Sequence, residues 1–428
     1  MTSHEQDTAP AVESRKRRFS LLIFIHVPIQ RIGDKFYIEP QACNGLRLWQ
    51  ENFGDLNVLA IESADIGILK AAIDESNRID TKKINITLLP NSYRLDRFIK
   101  NYARSVEIIK NSIESSHYLC FSIGGLFGDW GSVACWQAHR MNRPYAVWTD
   151  RVESEVVRRL SHEGSWRRRL RAWLTHRPMA WLERAVIGRA TLGLFHGQDT
   201  FAAYSPHCRH SELVHNIHIS KSTHIDDASM SRKLERAKSG VLKIGYVGRA
   251  EPMKGPEDWI TVLRILKHKN IPFTARWLGE GSSFEKMKLL TKEHGLTDVL
   301  ELPGFIRDKN AIMSALRDMD IFMFCHKTPE SPRVLIEAMV SGCALLGYDS
   351  AYARDLTHQH GGGVYAPIGD VDRLAREVEA LHERRDALAA LMSAARADGA
   401  PFDDASVFKH RSDILKKYLN VPEASSGR

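Results

Sequence analysis

Phe324-Cys325-His326-Lys327-Thr328-Pro329-Glu330-Ser331-Pro332-Arg333-Val334-Leu335-Ile336-Glu337-Ala338-Met339 is the stretch around which the remaining sequence arranges itself. Residues 320–324 are rich in Ile, Met and Phe and predict a strand. A short loop follows. Ser331 is placed as a helix N-cap and Pro332 as the first helical residue, where a missing N–H costs nothing. Val334, Leu335, Ala338 and Met339 share one side of that helix and predict a face turned to a core. Arg333 and Glu337, four apart, lie together on another side, and Gly342 is placed to end the helix. A strand end, the Glu330 carboxylate and a helix N-terminus are therefore predicted to meet at one point. Helix N-termini favour anions, and open parallel sheets bind ligands at the C-terminal edge of their strands. Read alone, the same spacing also fits a surface Arg333–Glu337 pair beside a solvated Glu330.

Working upstream, Gly248-Arg249-Ala250-Glu251-Pro252-Met253-Lys254-Gly255 follows a predicted strand, 243–247, and precedes a helix that starts at Pro256. Strand, glycine turn and helix put backbone N–H groups at an anion site. Arg249 adds a fork suited to a diphosphate, and Lys254 adds a point charge. The dinucleotide fingerprint G-x-G-x-x-G is absent. Further strands are predicted at 273–278, 299–302, 344–346 and 364–365, with helices near 283–294, 311–318 and 370–392 and a last one at 405–418. The first half repeats the alternation. Strands are predicted at 19–27, 57–61, 84–89, 118–123, 144–148 and 190–195, with a loop carrying Gly33 and a helix near 46–52. A helix at 95–113 has Ile99, Tyr102, Val106, Ile109 and Ile113 spaced for one apolar stripe. The polar run 218–239 reads as the connection between halves. Alternating strands and helices over 428 residues predict two doubly wound parallel sheets rather than one core.

The formal net charge of +8 is compatible with nucleic acid, an anionic membrane or phosphorylated substrates. No nucleic-acid motif of known type occurs, so nucleic acid is not expected as a partner. No run of about 18 apolar residues is present to span a bilayer. Arg15-Lys16-Arg17-Arg18 before an apolar run imitates a signal peptide, but no small-x-small site follows, and residues 1–18 read as a polar, disordered tail. Six scattered cysteines lack metal or disulfide spacing and predict buried thiols in a reducing, cytoplasmic setting. Residues 151–190 hold ten arginines against four glutamates, interleaved with Trp166, Trp173 and Trp181. Such a basic amphipathic segment suits an anionic membrane surface. It equally suits a solvated helical face with the tryptophans in the core.

The run Glu-Ser-Pro-x-x-x-x-Glu-Ala-Met, closely followed by a small residue and Gly342, resembles the signature of the retaining glycosyltransferases of family 4 type. Those enzymes have the GT-B fold, two Rossmann-like domains facing a cleft. Their two glutamates are usually separated by seven residues. Here Glu330 and Glu337 are separated by six, and Pro329 occupies the usual register of the first. Gly248-Arg249 with Lys254-Gly255 is similar to the family's diphosphate grip, Gly279-Glu280-Gly281 to its glycine-rich turn beside the nucleotide, and Pro303-Gly304-Phe305 to its base-proximal segment. The resemblance implies an acceptor domain over 19–222, a nucleotide-sugar domain over 223–404 and a last helix, 405–428, packing back on the first domain. It implies a retaining transfer from a nucleotide-diphosphate sugar to a glycan or lipid-linked acceptor in cell-surface polysaccharide synthesis. Arg249 and Lys254 would hold the leaving diphosphate with the helix end at Ser331, Arg333 and Val334. Glu337 would hold ribose hydroxyls and Glu330 sugar hydroxyls, with His326 a secondary catalytic candidate. No further cofactor is implied. Asp318-Met319-Asp320 matches a metal-binding pattern of another glycosyltransferase fold but lies at the wrong strand end, so no metal is expected. A nucleotide-sugar epimerase or glycan phosphorylase on the same fold, and a non-catalytic basic binding protein, are the alternatives.

Overall fold

Leu21 and Ile23 in β1 (Phe19–Ile32) point into one core while Leu22 and Phe24 point into another. A strand apolar on both faces has no solvent side and takes a central place in a parallel sheet. The computed structural model describes residues 19–67, 70–160, 166–328 and 331–419. Its first sheet contains β2 (Lys35–Ile38), β3 (Gly54–Glu62), β4 (Ala71–Ala72), β5 (Ile84–Leu89), β6 (Tyr118–Ser122), β7 (Ala146–Thr149), β8 (Leu192–His196) and β9 (Ser211–Val214). The parallel order is β5-β3-β1-β6-β7-β8-β9, with β2 antiparallel to the far end of β1 and β4 beside it. The second sheet comprises β10 (Leu242–Val247), β11 (Phe273–Leu278), β12 (Leu300–Gly304), β13 (Ile321–Phe324), β14 (Ala344–Tyr348) and β15 (Gly363–Ala366). Its order is β12-β11-β10-β13-β14-β15, all parallel. In both sheets the order reverses beside the first strand, which opens a crevice at the strands' C-terminal ends.

Several local expectations change. Gly33 closes a β1–β2 hairpin at φ +59° rather than a long loop. The helix expected near 46–52 starts earlier, at Pro40, since proline fits a first helical turn (Pro40–Phe53). Much of the supposed connection is a helix, Asp227–Ser239, capped by Asp226 and burying Met230, Lys233 and Ala237. Its polar composition hides a narrow buried face. In the Leu95–Glu114 helix only Ile109 and Ile113 of the expected stripe are fully buried, and Ile99 and Tyr102 are exposed. The tryptophans of the Trp166–Ile187 helix also lie outside, because Ala172, Met179, Val186 and Ile187 already fill the core side.

The Asp404–Tyr418 helix crosses back to the first domain. Phe408, Ile414 and Leu415 join the core formed by Leu46, Trp49 and Phe53, and Asn44 Nδ2 donates to Asp404 Oδ2 at 2.8 Å. The Phe408 ring meets Trp49 edge-on with centroids 5.2 Å apart. Phe408→Ala is expected to cost about 3–5 kcal/mol, as truncation of a buried aromatic does. Chemical denaturation checks this, with the loss appearing in the first domain's transition.

Candidate functional site

The C-terminal ends of β10, β11 and β12 are laced together by backbone. Gly248 N donates to Leu278 O at 2.9 Å, Ala250 N to Glu280 O at 3.0 Å, and Gly279 N to Gly304 O at 2.9 Å. A Cβ on Gly279, at φ +139°, would fall on the Gly248 carbonyl oxygen, so only glycine fits there. Glu280 Oε1 accepts from Phe305 N at 3.2 Å, adding a side-chain tie. Gly255, at φ +63°, passes under the Cys325 carbonyl, and Lys327 N donates to Met253 O at 2.8 Å. The turn carrying Arg249 and Lys254 is thereby stitched to the loop after β13. Lys254 is only 9 % exposed there, and Arg249 stands exposed at the rim.

His326 is buried beside Lys254 and lies 2.8 Å from Tyr246 Oη through Nε2. Burial, assisted by the Lys254 charge, pushes its pKa down to about 3, so the ring is neutral. Burial raises the Glu337 carboxyl above its ordinary range, against the opposing charges of Lys309 and Arg333. Glu330 lies outside the described residues. Ser331 is not the expected helix cap. The helix runs Val334–Val340 with Arg333 in the cap position, so it also offers no long dipole. The reason is that Ser331 is used across the cleft: its backbone hydrogen-bonds the buried His196 ring, and its hydroxyl fills the space over Gly197. Arg333 Nη1 likewise crosses, donating to Gln41 Oε1 at 2.9 Å instead of forming a simple surface pair with Glu337. Val334 begins the helix, half-buried. Asp318 and Asp320 pair with Arg236 at 2.9 and 2.6 Å at the start of β13, the edge away from the glycine turns.

Facing these residues is a cavity of about 400 Å³ lined by His26, Gln41, Trp49, Ser122, Trp148, Asp150 and, from the other domain, Arg333. Its most ordered polar feature was not visible in sequence. His26 Nε2 lies 3.0 Å from Asp129 Oδ1, and His26 Nδ1 lies 3.0 Å from Ser122 Oγ. Asp129 is fully buried and caps the Trp130–Arg140 helix. It also accepts from Gly124 N and Gly131 N, both at 3.1 Å, and from Ser132 Oγ at 2.5 Å. Burial works against charge on both partners, but their mutual attraction wins: His26 is raised above, and Asp129 held below, its ordinary value. The two residues stand 103 positions apart, so no spacing rule joins them.

Comparison with known proteins places this geometry. Residues 229–398 match the family model described as glycosyl transferases group 1. A putative colanic acid biosynthesis glycosyltransferase, WcaL, of Escherichia coli (strain K12) is 27% identical over 179 residues, 40% of this chain and 44% of that protein. Its Salmonella typhimurium counterpart is 25% identical over 200 residues, 45% and 49% of the two chains. The matched part thus spans less than half the length of these curated relatives. Anabaena HepE, crystallised with UDP, superposes with a TM-score of 0.65 at 14% identity, over 93% of this chain and 100% of that one. WaaG, a glycosyltransferase involved in lipopolysaccharide biosynthesis, gives 0.57 at 13% identity, over 92% and 99%. The fold is GT-B.

Two buried and two half-buried histidines generate a pH prediction. His196, His215, His218 and His326 are each pushed down to about 3, chiefly by burial. The unfolded chain binds their protons below about pH 6.5 and the folded chain does not, so stability is complete above that pH and falls on acidification. At pH 5 the loss reaches up to about 2 kcal/mol per histidine. Urea midpoints should fall steeply from pH 7 to 5, and His326→Gln should flatten the slope.

Proposed function

We propose that the protein is a retaining glycosyltransferase that moves a sugar from a nucleotide-diphosphate sugar to a glycan or lipid-linked acceptor in cell-surface polysaccharide synthesis. One observation carries the reading: a backbone-laced glycine turn holds Lys254 buried at the ligand edge of the second sheet, opposite a cavity in the first. Transfer builds negative charge on the leaving diphosphate and positive charge on the sugar ring. Lys254 answers the first, and Arg249 at the rim closes over the same phosphates. Glu337 takes the ribose hydroxyls, and Glu330 or the backbone beside it takes those of the sugar. HepE has been crystallised with UDP and with UDP-glucose, which supports a nucleotide sugar as donor. His326 serves as a neutral hydrogen-bonding group and not as an acid, given its low pKa. No metal or further cofactor has a role in this scheme.

The acceptor side includes an anionic lipid surface. On the Trp166–Ile187 helix, Trp166, Leu170, Trp173, Leu174 and Trp181 are exposed at helical spacing, with Trp173 at 58 % and Trp181 at 69 %. Arg167, Arg169, Arg171, Arg177 and Arg184 flank them, also exposed. Tryptophan with arginine suits the headgroup region of an anionic bilayer. No helix among the described residues is long and apolar enough to cross a membrane.

Thermal shift with a panel of UDP-, GDP- and ADP-sugars should identify the donor, since saturation at 100 Kd adds about 2.7 kcal/mol. Lys254→Ala and Glu337→Ala should each abolish that shift and lower transfer by about 10²-fold or more with an unchanged circular dichroism spectrum. Near-normal transfer in both variants, or brisk turnover of the nucleotide sugar to an epimer without acceptor, would defeat the reading. In flotation assays, vesicles containing phosphatidylglycerol should capture the protein, and Trp173→Ser with Trp181→Ser should release it. Equal capture of the double variant removes the lipid surface from the scheme.

A further inference from the structure

Arg333 stands at the cap of the Val334–Val340 helix in the second domain, yet its guanidinium reaches the first. Nη1 donates to Gln41 Oε1 at 2.9 Å, on the Pro40–Phe53 helix. Both residues line the cavity of about 400 Å³ beside Trp49 and Trp148. Every other lining residue belongs to the first domain, to the segment leaving it at Asn216 and His218, or to the last helix through Phe408. Arg249, Lys254 and Glu337 are not among them. The guanidinium is thus turned away from the diphosphate grip and toward the acceptor side.

This corner of the cavity is positive. His218 lines it half-buried, with Nδ1 lacking a hydrogen-bond partner. Burial, then the charges of Arg333, Arg411 and Lys309, press its pKa down to about 3. Lys309 Nζ lies 2.7 Å from the His218 carbonyl oxygen, and Arg411, 1 % exposed, leaves Nε and Nη1 without a partner. Among the described residues Arg333 has no ion pair, and the acceptor on its side chain is the neutral amide oxygen of Gln41. A guanidinium drawn out of water normally has a carboxylate against it. Glu39 and Asp150 also line the cavity, but both are exposed and neither pairs with Arg333. Water screens their charge, and their oxygens suit sugar hydroxyls.

We propose that Arg333 is a specificity residue for an anionic acceptor, its fork taking a carboxylate or phosphate group carried beside the sugar that receives the glycosyl unit. This rests on the transferase reading and names the acceptor's class. The fork presents parallel N–H donors to a planar carboxylate or to two phosphate oxygens. The incoming anion displaces the Gln41 amide oxygen from Nη1, so no existing ion pair has to break. Arg411 and Lys309 strengthen the attraction through their field. Because the cavity belongs to the first domain and Arg333 to the second, such an anion is held by both domains together. A neutral sugar lacks that tie. A cavity of about 400 Å³ falls in the range of small-ligand sites and accepts a sugar ring with a charged substituent. Two sources carry this chemistry, the carboxylate of an acidic sugar in a glycan and the phosphate joining a sugar to a lipid.

The test uses the full chain saturated with the nucleoside diphosphate of the donor selected by the thermal-shift panel, so that the diphosphate grip is occupied. Methyl glucuronide, α-glucosyl phosphate and neutral methyl glucoside are titrated separately, and dissociation constants are read by ligand-detected NMR. At least one of the two anions should bind about tenfold or more tighter than the glucoside, the usual gain from hydrogen bonds to a charged group. Which anion is preferred separates an acidic sugar from a phosphate-linked acceptor. Arg333→Met should bring the preferred anion to the level of the glucoside, and Lys309→Met should lower the preference part of the way. Should Arg333→Met fail to fold, Arg333→Gln replaces it. Equal binding of all three probes by the wild type, or a preference that survives in the Arg333 variant, overturns the inference and leaves the transferase reading standing. So does an Arg333 variant that loses the nucleotide sugar's melting shift as fully as Lys254→Ala, because the guanidinium then serves the donor. Wild-type protein whose melting is shifted by no sugar of the panel overturns both.

Discussion

The architecture depends on how closely backbone approaches backbone at the C-terminal edge of the second sheet. Gly248, Gly279 and Gly304 end three neighbouring strands, and each is within hydrogen-bond reach of the next turn. Each has positive φ, and a Cβ at Gly279 would collide with the Gly248 carbonyl. Side chains are thereby excluded from the bottom of the crevice and displaced to its walls. Lys254 is one that remains, held down because Gly255 is pressed against Cys325. A buried ammonium is costly in an apolar setting and useful where an anion arrives to offset it. The neighbouring His326 stays neutral in the same field, so the site adds one cation there, not two.

That crevice acquires a second wall through a seam of specific contacts. Ser331 bonds His196, Arg333 bonds Gln41, and Lys309 Nζ donates to His218 O at 2.7 Å. Behind them, the buried Arg411 of the last helix stacks between Trp148 and Phe408, with its charge centre 5.3 and 4.8 Å from the two rings. Aromatic faces replace water around that guanidinium. Burial nevertheless draws its pKa down to about 10. The seam explains why the Ser-Pro-Arg segment does not begin a regular helix: its polar groups are committed to the other domain before the helix starts at Val334.

The division between what the sequence disclosed and what it hid follows from the range of the forces involved. Glycine turns after strands are local geometry, so Gly248, Gly255 and Gly279 were legible from their neighbours, as was the alternation that yields two parallel sheets. The Asp227–Ser239 helix was read as part of a connection because a helix that buries only Met230, Lys233 and Ala237 has the composition of a loop. The tryptophan helix defeated periodicity for the opposite reason. Both of its sides carry large apolar residues, so Trp173 and Trp181 outside cannot be told from Met179 and Ile187 inside without the fold. The Ser331 cap failed because a local preference worth about 1 kcal/mol was outweighed by contacts to residues over a hundred positions away.

Histidine shows the same principle at the level of charge. His196 and His326 are buried and His215 and His218 half-buried, none with a carboxylate strong enough to hold a proton on it, and desolvation, assisted by neighbouring cations such as Arg411 and Lys254, leaves them neutral. His215 comes nearest to an exception, 3.6 Å from Asp355, but burial raises that carboxyl too, which weakens its pull. His26 differs in meeting a carboxylate whose oxygens are already fixed by Gly124, Gly131 and Ser132. Those three donors stabilise the anion of Asp129, and the anion in turn raises His26. The cap of the Trp130–Arg140 helix, a purely structural device in sequence terms, is therefore what sets the proton affinity of a side chain on the opposite strand. A histidine whose proton affinity is raised, lining a cavity shared with Arg333, is separated from its neutral counterparts chiefly by this one carboxylate.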